Sequence, residues 1–332
     1  MTTAPERAFV VGVDSGGSGL RVALARPGQG PAGEGREIVE TVSSREPVRT
    51  GAGGIDAGHL LGQLLPAVDA MTARAGGGTV LAVAVGAAGM ATLGDRLRAE
   101  LPGAVDRAWG VRRLALAADA VTAYAGALGQ RPGAVVAGGT GLIAIGTDLS
   151  GWRRADGWGH LLGDCGSGAW IGRAGLEAAM RAYDGRRGGS AALLARAEER
   201  FGPAAGLPGA LYPRTDRPAV LASFAPEVAV CAAAGDAVAA GVLERAAAHI
   251  AEAAAAVAPS GPGREVALTG GLFMMGEPLL GPLRAEFGAL LPGVREVPAA
   301  GDPLAGAVTI AAALADGSLR LPEDPRLLQL AR

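Results

Sequence analysis

Acidic or small residues end an apolar run at four points of the chain, where they could bind a phosphorylated ligand. At the first, residues 14–19, Asp14 is followed by Ser-Gly-Gly-Ser-Gly. Glycines in a tight turn permit positive φ and expose successive backbone N–H groups, which can surround an anion. Asp14, at the end of the apolar run, could hold a cation against that anion. A hairpin without any ligand explains this stretch equally well when it is considered alone.

The other three points are Asp119 and two small-residue turns, at residues 138–141 and 269–271. Each follows a run predicted to be a strand, and ligands of α/β proteins bind near such strand ends. Asp119 has two interpretations that stay open. It could accept a proton from a hydroxyl group as a general base, or it could cap the helix predicted to begin at Ala120.

The elements that must position these residues form one pattern that occurs twice. In the first half, periodicity predicts strands at residues 9–13, 20–25, 37–42, 79–85 and 113–117 and helices at 55–74, 95–101 and 120–128. In the second half it predicts strands at 133–137, 142–146, 152–158 and 266–268 and helices at 167–183, 190–201, 226–258, 272–287 and 302–314. We therefore expect two α/β domains, residues 1–130 and 131–332, on either side of a cleft, with the closing helix 302–314 near their junction.

Composition excludes several classes of function. The chain has 332 residues, a formal net charge of −2 and 49% hydrophobic residues, enough for two domains. Near-neutral charge gives no footprint for nucleic acid or an anionic membrane, and no apolar run reaches membrane-spanning length. We expect a cytoplasmic protein, because the N-terminus lacks a signal-peptide core and two cysteines make no disulfide framework. The chain contains no lysine, so any nucleotide phosphate must be bound by backbone amides, arginine and Mg²⁺.

The four stretches, in this order, resemble the motifs of the superfamily that contains actin, sugar kinases and heat-shock-protein-seventy ATPases. The first phosphate hairpin of that superfamily corresponds to Asp-Ser-Gly-Gly-Ser here, and the second corresponds to Gly-Gly-Thr-Gly. Residues 157–172, GWGHLLGDCGSGAWIG, further resemble the GWGxxxGDEGSxxWI signature of the N-acetylglucosamine kinase and BadF/BadG ATPase family. The resemblance implies an α/β fold of two actin-like, ribonuclease H-like ATPase domains flanking a cleft.

The resemblance also implies ATP-dependent phosphorylation of an amino sugar, N-acetylglucosamine or glucosamine, at its 6-hydroxyl. ATP and Mg²⁺ would be the cofactors, and the protein would be a homodimer. Asp119 corresponds to the general base, and Asp14 to the Mg²⁺ ligand. The residues implied to bind the nucleotide are Asp14, Gly16, Gly17, Ser18, Gly139, Thr140, Gly141, Gly270 and Gly271. The residues implied to contact the sugar are Ser44, Arg45, Asp119, Thr140, Trp158, Gly159 and Asp164.

Two of these sugar residues have plainer alternatives. Trp158 could fill the core, and Asp164 could cap the helix predicted from Ser167. The chain also departs from the family pattern in three places. Cys165 replaces the glutamate of the signature, two apolar residues replace Ser-Asn after the second hairpin, and Ser44 or Arg45 must substitute for a sugar-binding asparagine.

Two other functions remain open at this point. One is a BadF-type ATPase that drives electron transfer to a dehydratase through a [4Fe–4S] cluster held by cysteines of two subunits. Cys165 superficially suits that role, but Cys231 lies in an apolar helical run where a buried thiol is expected. The other is a non-catalytic sugar sensor, which the presence of Asp119 and the lack of a DNA-binding segment disfavour.

Overall fold

The chain divides into two compact units in the computed structural model, which describes residues 7–17, 19–28, 37–51, 54–261 and 264–331. The first unit comprises Met1–Pro132, Thr147–Trp152 and Pro298–Arg332, and the second comprises Gly133–Gly146 and Arg153–Val297. The C-terminal segment therefore groups with the first unit, whereas the sequence pattern predicted it in the second domain. Ser18, a predicted nucleotide contact, lies outside the described residues.

The first unit contains a six-stranded sheet covered by helices. The six strands of the sheet are β1 (Ala8–Gly16), β2 (Gly19–Arg26), β3 (Glu37–Ser44), β6 (Thr79–Ala87), β7 (Leu114–Ala118) and β13 (Leu328–Ala331). Two short strands, β4 (Thr50–Gly51) and β5 (Gly54–Ile55), pair separately from it. Its helices are α1 (Ala57–Arg74), α2 (Met90–Leu93), α3 (Asp95–Trp109), α4 (Asp119–Leu128) and α12 (Pro303–Asp316). The sheet order is β13-β7-β6-β1-β2-β3, with β1 antiparallel to β2 and parallel to β6.

Helix α12 lies directly on this sheet because small residues allow a close approach. A Cβ atom at Gly12 of β1 would lie 2.7 Å from Val308 Cγ2 of α12. Helices α12 and α4 are equally close, since a Cβ at Gly306 would overlap the carbonyl oxygen of Thr122. Such tight backbone packing fixes the ends of α4 and α12 relative to β1. Those ends carry Asp119 and Asp302, which belong to the candidate site described below.

The second unit repeats the strand arrangement of the first. Its strands are β8 (Gly133–Gly138), β9 (Leu142–Thr147), β10 (Trp152–Asp156), β11 (Glu265–Thr269) and β12 (Arg295–Pro298), in the order β10-β9-β8-β11-β12. The first unit contains the matching series β3-β2-β1-β6-β7, to which β13 adds an edge. The helices of the second unit are α5 (Gly168–Tyr183), α6 (Ala191–Phe201), α7 (Leu207–Leu211), α8 (Arg217–Ser223), α9 (Ala225–Ala233), α10 (Ala237–Val257) and α11 (Glu277–Leu290).

The single helix predicted at residues 226–258 is two helices, α9 and α10. Gly235 has φ +92°, and the Asp236 side chain accepts a hydrogen bond from Ala239 N, so a new helix begins there. Among the described helices, no single one is long and apolar enough to span a membrane. The pair Arg217–Ala233 and Ala237–Val257 passes that test together, with a bend of 120°. In α10, one face that includes Val242 and Ile250 is buried in the core of the second unit.

Candidate active site

The hairpin between β1 and β2 leaves its turn open on one side. Asp14 faces Arg21 across the hairpin, and Gly16 faces Gly19. A Cβ at Gly16 or Gly17 would meet no atom within 4 Å, whereas a Cβ at Gly19 would overlap the carbonyl oxygen of Ser44. Gly19 also has φ +134°, so the fold itself requires glycine there. The backbone at Gly16 and Gly17 is therefore accessible to a ligand without any change in the fold.

Arg21 joins two carboxylates beside this turn. Its Nη2 and Nε lie 2.6 and 3.1 Å from Asp14 Oδ2, and its Nη1 lies 2.5 Å from Asp302 Oδ2. The other oxygen of Asp302 accepts a hydrogen bond of 2.9 Å from Ala305 N and so caps α12. Neither the pairing of Arg21 with Asp14 nor its pairing with Asp302 was predicted from the sequence. The cross-strand position of Arg21 could have been found from the turn length, but the pairing with Asp302 leaves no local signal.

Asp14 fits a magnesium ion that is bound mainly by phosphate and water. No group of three or more His, Cys, Asp or Glu side chains that could hold a metal occurs among the residues that the structure describes. Mg²⁺ needs no such group, because it keeps several waters and binds one or two carboxylates together with substrate phosphates. The Asp14 side chain is 16% exposed, at the end of a turn whose backbone is open. A single accessible carboxylate is thus the expected protein contribution.

Asp119 is the first residue of α4, one position earlier than the sequence predicted. Ala118 is the N-cap residue, and the Asp119 carboxylate accepts a hydrogen bond of 2.9 Å from Ala120 N. The Asp119 carbonyl accepts a second bond of 2.9 Å from Thr122 Oγ1. The carboxylate therefore lies in the first turn of the helix, where negative charge is favoured, and it is partly exposed.

The loop after β3 is tied to α1 by a histidine. Glu46 N donates to Ser44 Oγ at 3.2 Å, while the Glu46 carboxylate lies 3.1 Å from His59 Nε2. Arg49 N donates to His59 Nδ1 at 3.2 Å, so the ring accepts at Nδ1 and donates from Nε2 to Glu46. His59 has a structural role in this loop. Of the two predicted sugar residues, Ser44 is half-buried at the end of β3 and Arg45 is exposed.

The hairpin between β8 and β9 is seated on the N-terminus of α5. Gly168 N and Ala169 N donate to the carbonyl oxygens of Gly139 and Thr140, at 2.9 and 3.1 Å. A Cβ at Gly139 would meet no atom within 4 Å, so the outer side of the turn is open. A Cβ at Gly141 would lie 2.6 Å from a carboxylate oxygen of Asp164, so the inner side rests on that residue.

The two glycines predicted to bind adenosine have different surroundings. Gly270 has φ +101°, and a Cβ there would overlap the carbonyl oxygen of Gly138, so packing alone requires glycine. A Cβ at Gly271 would meet nothing within 4 Å. Gly271 begins a short 3-10 turn, Gly271–Met275, directly after β11. Of this pair, only Gly271 offers open backbone to a ligand.

Asp164 is buried, and it is not a helix cap. Ser167 caps α5 through a bond of 3.2 Å from Trp170 N, so the capping interpretation of Asp164 does not hold. Asp164 is 8% exposed and has φ +52°, and its Oδ1 accepts a bond of 3.0 Å from Gly159 N. Burial raises the pKa of Asp164. The carboxyl group of Asp164 is therefore held in a fixed orientation and has little contact with water.

Trp158 does not fill the core, because its side chain is 61% exposed. The Arg154 guanidinium lies over the indole ring, 4.3 Å from its centroid, and also donates to the carbonyl oxygens of Asp156 and Gly157. Gly159 has φ +83°, which turns the chain back toward Asp164. The second unit therefore presents an aromatic ring with one face covered by a cation and the other face free of it.

A family model describes this combination of turns and signature. The BadF/BadG/BcrA/BcrD ATPase family matches residues 11–286. The chain belongs to this family. Its matched region includes both open turns, Asp119, the signature loop and the Gly270–Gly271 pair.

Known proteins resemble this family member over different lengths. An N-acetylmuramic acid/N-acetylglucosamine kinase from Clostridium acetobutylicum is 44% identical over 69 residues, which are 20% of this chain and 22% of that kinase. The crystal structure of a proposed N-acetylglucosamine kinase from Chromobacterium violaceum matches with a TM-score of 0.65 and 27% identity, covering 92% of this chain and 99% of the other. A second proposed N-acetylglucosamine kinase, from Porphyromonas gingivalis, matches with a TM-score of 0.67 and 17% identity over 93% and 99% of the chains. The predicted mixed α/β fold of the actin-like sugar kinases is thereby confirmed.

Proposed function

We propose that this BadF/BadG/BcrA/BcrD family member is an ATP-dependent kinase of an amino sugar, N-acetylglucosamine or glucosamine, and that it acts on the 6-hydroxyl. The observation that carries the proposal is the junction of two features within the second unit. Asp164 supports the open turn at Gly141 and at the same time accepts a bond from Gly159 in the loop that presents Trp158. One buried carboxyl group therefore contacts both the turn proposed to bind phosphate and the loop proposed to bind the sugar. The full-length similarity to the Chromobacterium violaceum structure supports the same class of activity.

In this proposal, backbone atoms of the open turns bind the nucleotide. Gly16 and Gly17 in the first unit offer backbone N–H groups to the phosphates, and Thr140 in the second offers its N–H group and hydroxyl, next to the open side of Gly139. Gly271 offers open backbone to the adenosine. Asp14 would hold Mg²⁺, which when bound neutralises charge on the transferring phosphoryl group. Arg21 keeps the Asp14 carboxylate in a fixed position at the end of β1.

The transfer step needs one proton acceptor. The sugar hydroxyl oxygen forms a bond to the γ-phosphorus of ATP while the bond from that phosphorus to the β–γ bridging oxygen breaks, which releases ADP. The hydroxyl proton passes to Asp119, whose carboxylate begins α4 and is partly exposed. The hydrogen bond from Ala120 N to one carboxylate oxygen fixes the orientation of Asp119 in the first turn of α4, as a positioned base requires.

Sugar recognition in this proposal combines one ring face with directed polar groups. The free face of Trp158 stacks on the sugar, opposite the face that Arg154 covers. Asp164 hydrogen-bonds a hydroxyl group of the sugar, Gly159 shapes the loop that holds Asp164 and Trp158, and Thr140 lies in the adjoining turn. Ser44 and Arg45 in the first unit replace the asparagine of the family pattern.

No observation favours the alternative with an iron–sulfur cluster. Cys231 is 4% exposed in the core of the second unit, so a cluster shared between two subunits has no access to it. Burial raises the pKa of both the Cys165 and Cys231 thiols. A non-catalytic sensor would bind sugar without turnover, and the assay below distinguishes it from a kinase.

The test is a coupled assay of ADP release over glucosamine, N-acetylglucosamine, mannosamine and glucose, each with and without Mg²⁺. We expect turnover that depends on one amino sugar, with a 6-phosphate product identified by ³¹P and ¹H NMR. Iron and sulfide content is measured on the same preparation. Sugar binding without ADP release indicates a sensor, and stoichiometric iron and sulfide with sugar-independent ATP hydrolysis indicates the electron-transfer ATPase.

A further inference from the structure

Two aspartates with unusual backbone conformation stand at the two ends of the signature loop. Among the described residues, positive φ outside glycine occurs at Leu149, Asp156 and Asp164, with +61° and +52° for the two aspartates. This region is costly for most side chains, and aspartate and asparagine tolerate it best. Asp156 ends β10, and Asp164 follows seven residues of loop. The loop between them is thus bounded on both sides by a strained backbone.

The Asp156 carboxylate joins the two ends of this loop through two hydrogen bonds, and we call this pair of bonds the clamp. Its Oδ1 accepts a hydrogen bond from Asp164 N at 2.5 Å, and its Oδ2 accepts one from Cys165 N at 2.8 Å. A Cβ at Gly163 would overlap Asp156 Oδ1, so no side chain fits between the clamp and the loop. The neighbouring cation, Arg154, donates to the carbonyl oxygens of Asp156 and Gly157. The backbone N–H groups of Asp164 and Cys165 thus stabilise the negative charge of the Asp156 carboxylate.

We propose that Asp156 is a positioning residue for the sugar site, because its carboxylate fixes the peptide planes from which Asp164 projects. This inference rests on the proposed function. Both oxygens of Asp156 accept backbone hydrogen bonds, so in this proposal it acts on the sugar site through Asp164. Cys165 stands where the signature has glutamate. The Asp156 carboxylate lies beside this position, where it accepts the hydrogen bond from Cys165 N.

The positioning argument follows from what holds Asp164 in place. Asp164 is buried and directs one oxygen to Gly159 N and the other toward Gly141. Its backbone has φ +52°, a conformation that needs support from its surroundings. The two bonds to Asp156 supply that support on the N–H side of residues 164 and 165. The other hydrogen bonds at this end of the loop run from Gly159 N to Asp164 Oδ1, from Gly163 N to Gly159 O and from Ser167 N to Asp164 O, and none of them holds the N–H groups of residues 164 and 165.

The first arm of the test is hydrogen exchange on the full-length protein without substrate. Asp156→Gly keeps the positive φ and removes both acceptors, and Asp156→Asn keeps the φ and one acceptor. We expect amide exchange at Asp164 and Cys165 to accelerate by about tenfold or more in the glycine variant and less in the asparagine variant. Asp184→Asn, which alters an exposed carboxylate at the end of α5, is the matched control and should leave this exchange unchanged.

The second arm separates sugar binding from chemistry. We expect Asp156→Gly to raise the KM for the amino sugar by about tenfold, with a smaller loss of kcat at saturating sugar and a smaller change in the affinity for ATP, because Gly16 and Gly17 of the first turn are unaffected. Asp156→Asn should lie between the glycine variant and the wild type. A merely structural defect would instead lower the active fraction, which reduces kcat and leaves both KM values unchanged.

The outcomes distinguish this inference from the proposed function. If the wild type phosphorylates a sugar and Asp156→Gly shows a normal KM, the positioning role is refuted and the kinase stands. If exchange responds as expected but no sugar binds or reacts, the clamp exists, the kinase proposal fails, and the assignment of Asp156 to a sugar site fails with it. Unchanged exchange in Asp156→Gly refutes the clamp.

Discussion

The turns that follow the first strand of each sheet differ in how charge is arranged around them. In the first unit, Arg21 joins Asp14 and Asp302 at the partly exposed side of the hairpin. In the second unit, the turn is neutral and apolar residues follow it, while Asp164 lies buried beneath Gly141. The first turn has the ionic surroundings that suit phosphate with a metal ion. The second turn instead rests on a buried carboxyl group that has little contact with water.

The same comparison separates glycines that serve the fold from glycines that are open to a ligand. Gly19 and Gly141 are packed against neighbouring atoms, whereas Gly17 and Gly139 face open space. Each turn therefore has a glycine that is packed against neighbouring atoms and at least one whose backbone a ligand can approach. Substitutions at the two classes should fail in different ways, by unfolding or by loss of binding.

The largest expected effect is at Gly17. Gly17→Val should abolish measurable ATP binding without unfolding the protein, because the added side chain meets no protein atom but occupies the space in front of the turn. Thr140→Val in the second turn should weaken ATP binding less, since the backbone donors remain. Calorimetric titration with ATP and Mg²⁺ measures both. Gly19→Val is the control for the packed class and should fail to fold, and unchanged ATP affinity in Gly17→Val would mean that this turn is only a hairpin.

The next effect compares the two carboxylates, Asp119 and Asp164. Asp119→Asn should lower kcat by about a hundredfold to ten-thousandfold, because an amide cannot accept the sugar proton. It keeps the acceptor for Ala120 N, so the free energy of unfolding should fall by about 1 kcal/mol or less. Asp164→Asn should mainly raise the KM for sugar. Near-normal kcat in Asp119→Asn would remove Asp119 from the role of base.

A smaller effect concerns the charges of the first turn. Arg21→Met leaves Asp14 and Asp302 without their shared cation, and we expect the free energy of unfolding to fall by about 1–2 kcal/mol, limited by solvent screening. Arg26→Met on the same strand removes only an exposed pair with Glu37 and should cost about 0.5 kcal/mol or less. Urea denaturation measures both. Equal losses in the two variants would show that Arg21 has no special structural role.

Much of the fold and of both turns could be predicted from the sequence, because local patterns determine them. Apolar runs that end in small residues predicted β1, β8 and β11 and placed the turns after them. The break between α9 and α10 also has a local signal, Gly235 followed by Asp236, which the surrounding alanine-rich sequence obscured. The prediction placed Asp164 on the sugar site but gave no reason for its position.

The partners of the site residues could not be predicted, because they depend on packing between distant segments. Asp302 reaches Arg21 only because α12 returns to the first sheet. Asp156 reaches the backbone of Asp164 through a loop conformation with positive φ at both ends. Neither contact has a period, a spacing or a composition that identifies it in advance.

The smallest effect is a pH dependence that belongs to the second turn alone. Burial raises the pKa of Asp164 above its ordinary value of 3.8, so the folded state holds this proton more tightly than the unfolded state. The associated stability is fully present below about pH 3.8 and is lost as the pH rises through the folded pKa. Asp164→Asn carries no such proton. Relative to the wild type, its free energy of unfolding should therefore increase as the pH rises above 4 and become constant once Asp164 is ionised. Urea titrations at several pH values measure this difference, and a difference that stays flat with pH would show that Asp164 is as well solvated as an ordinary surface carboxylate.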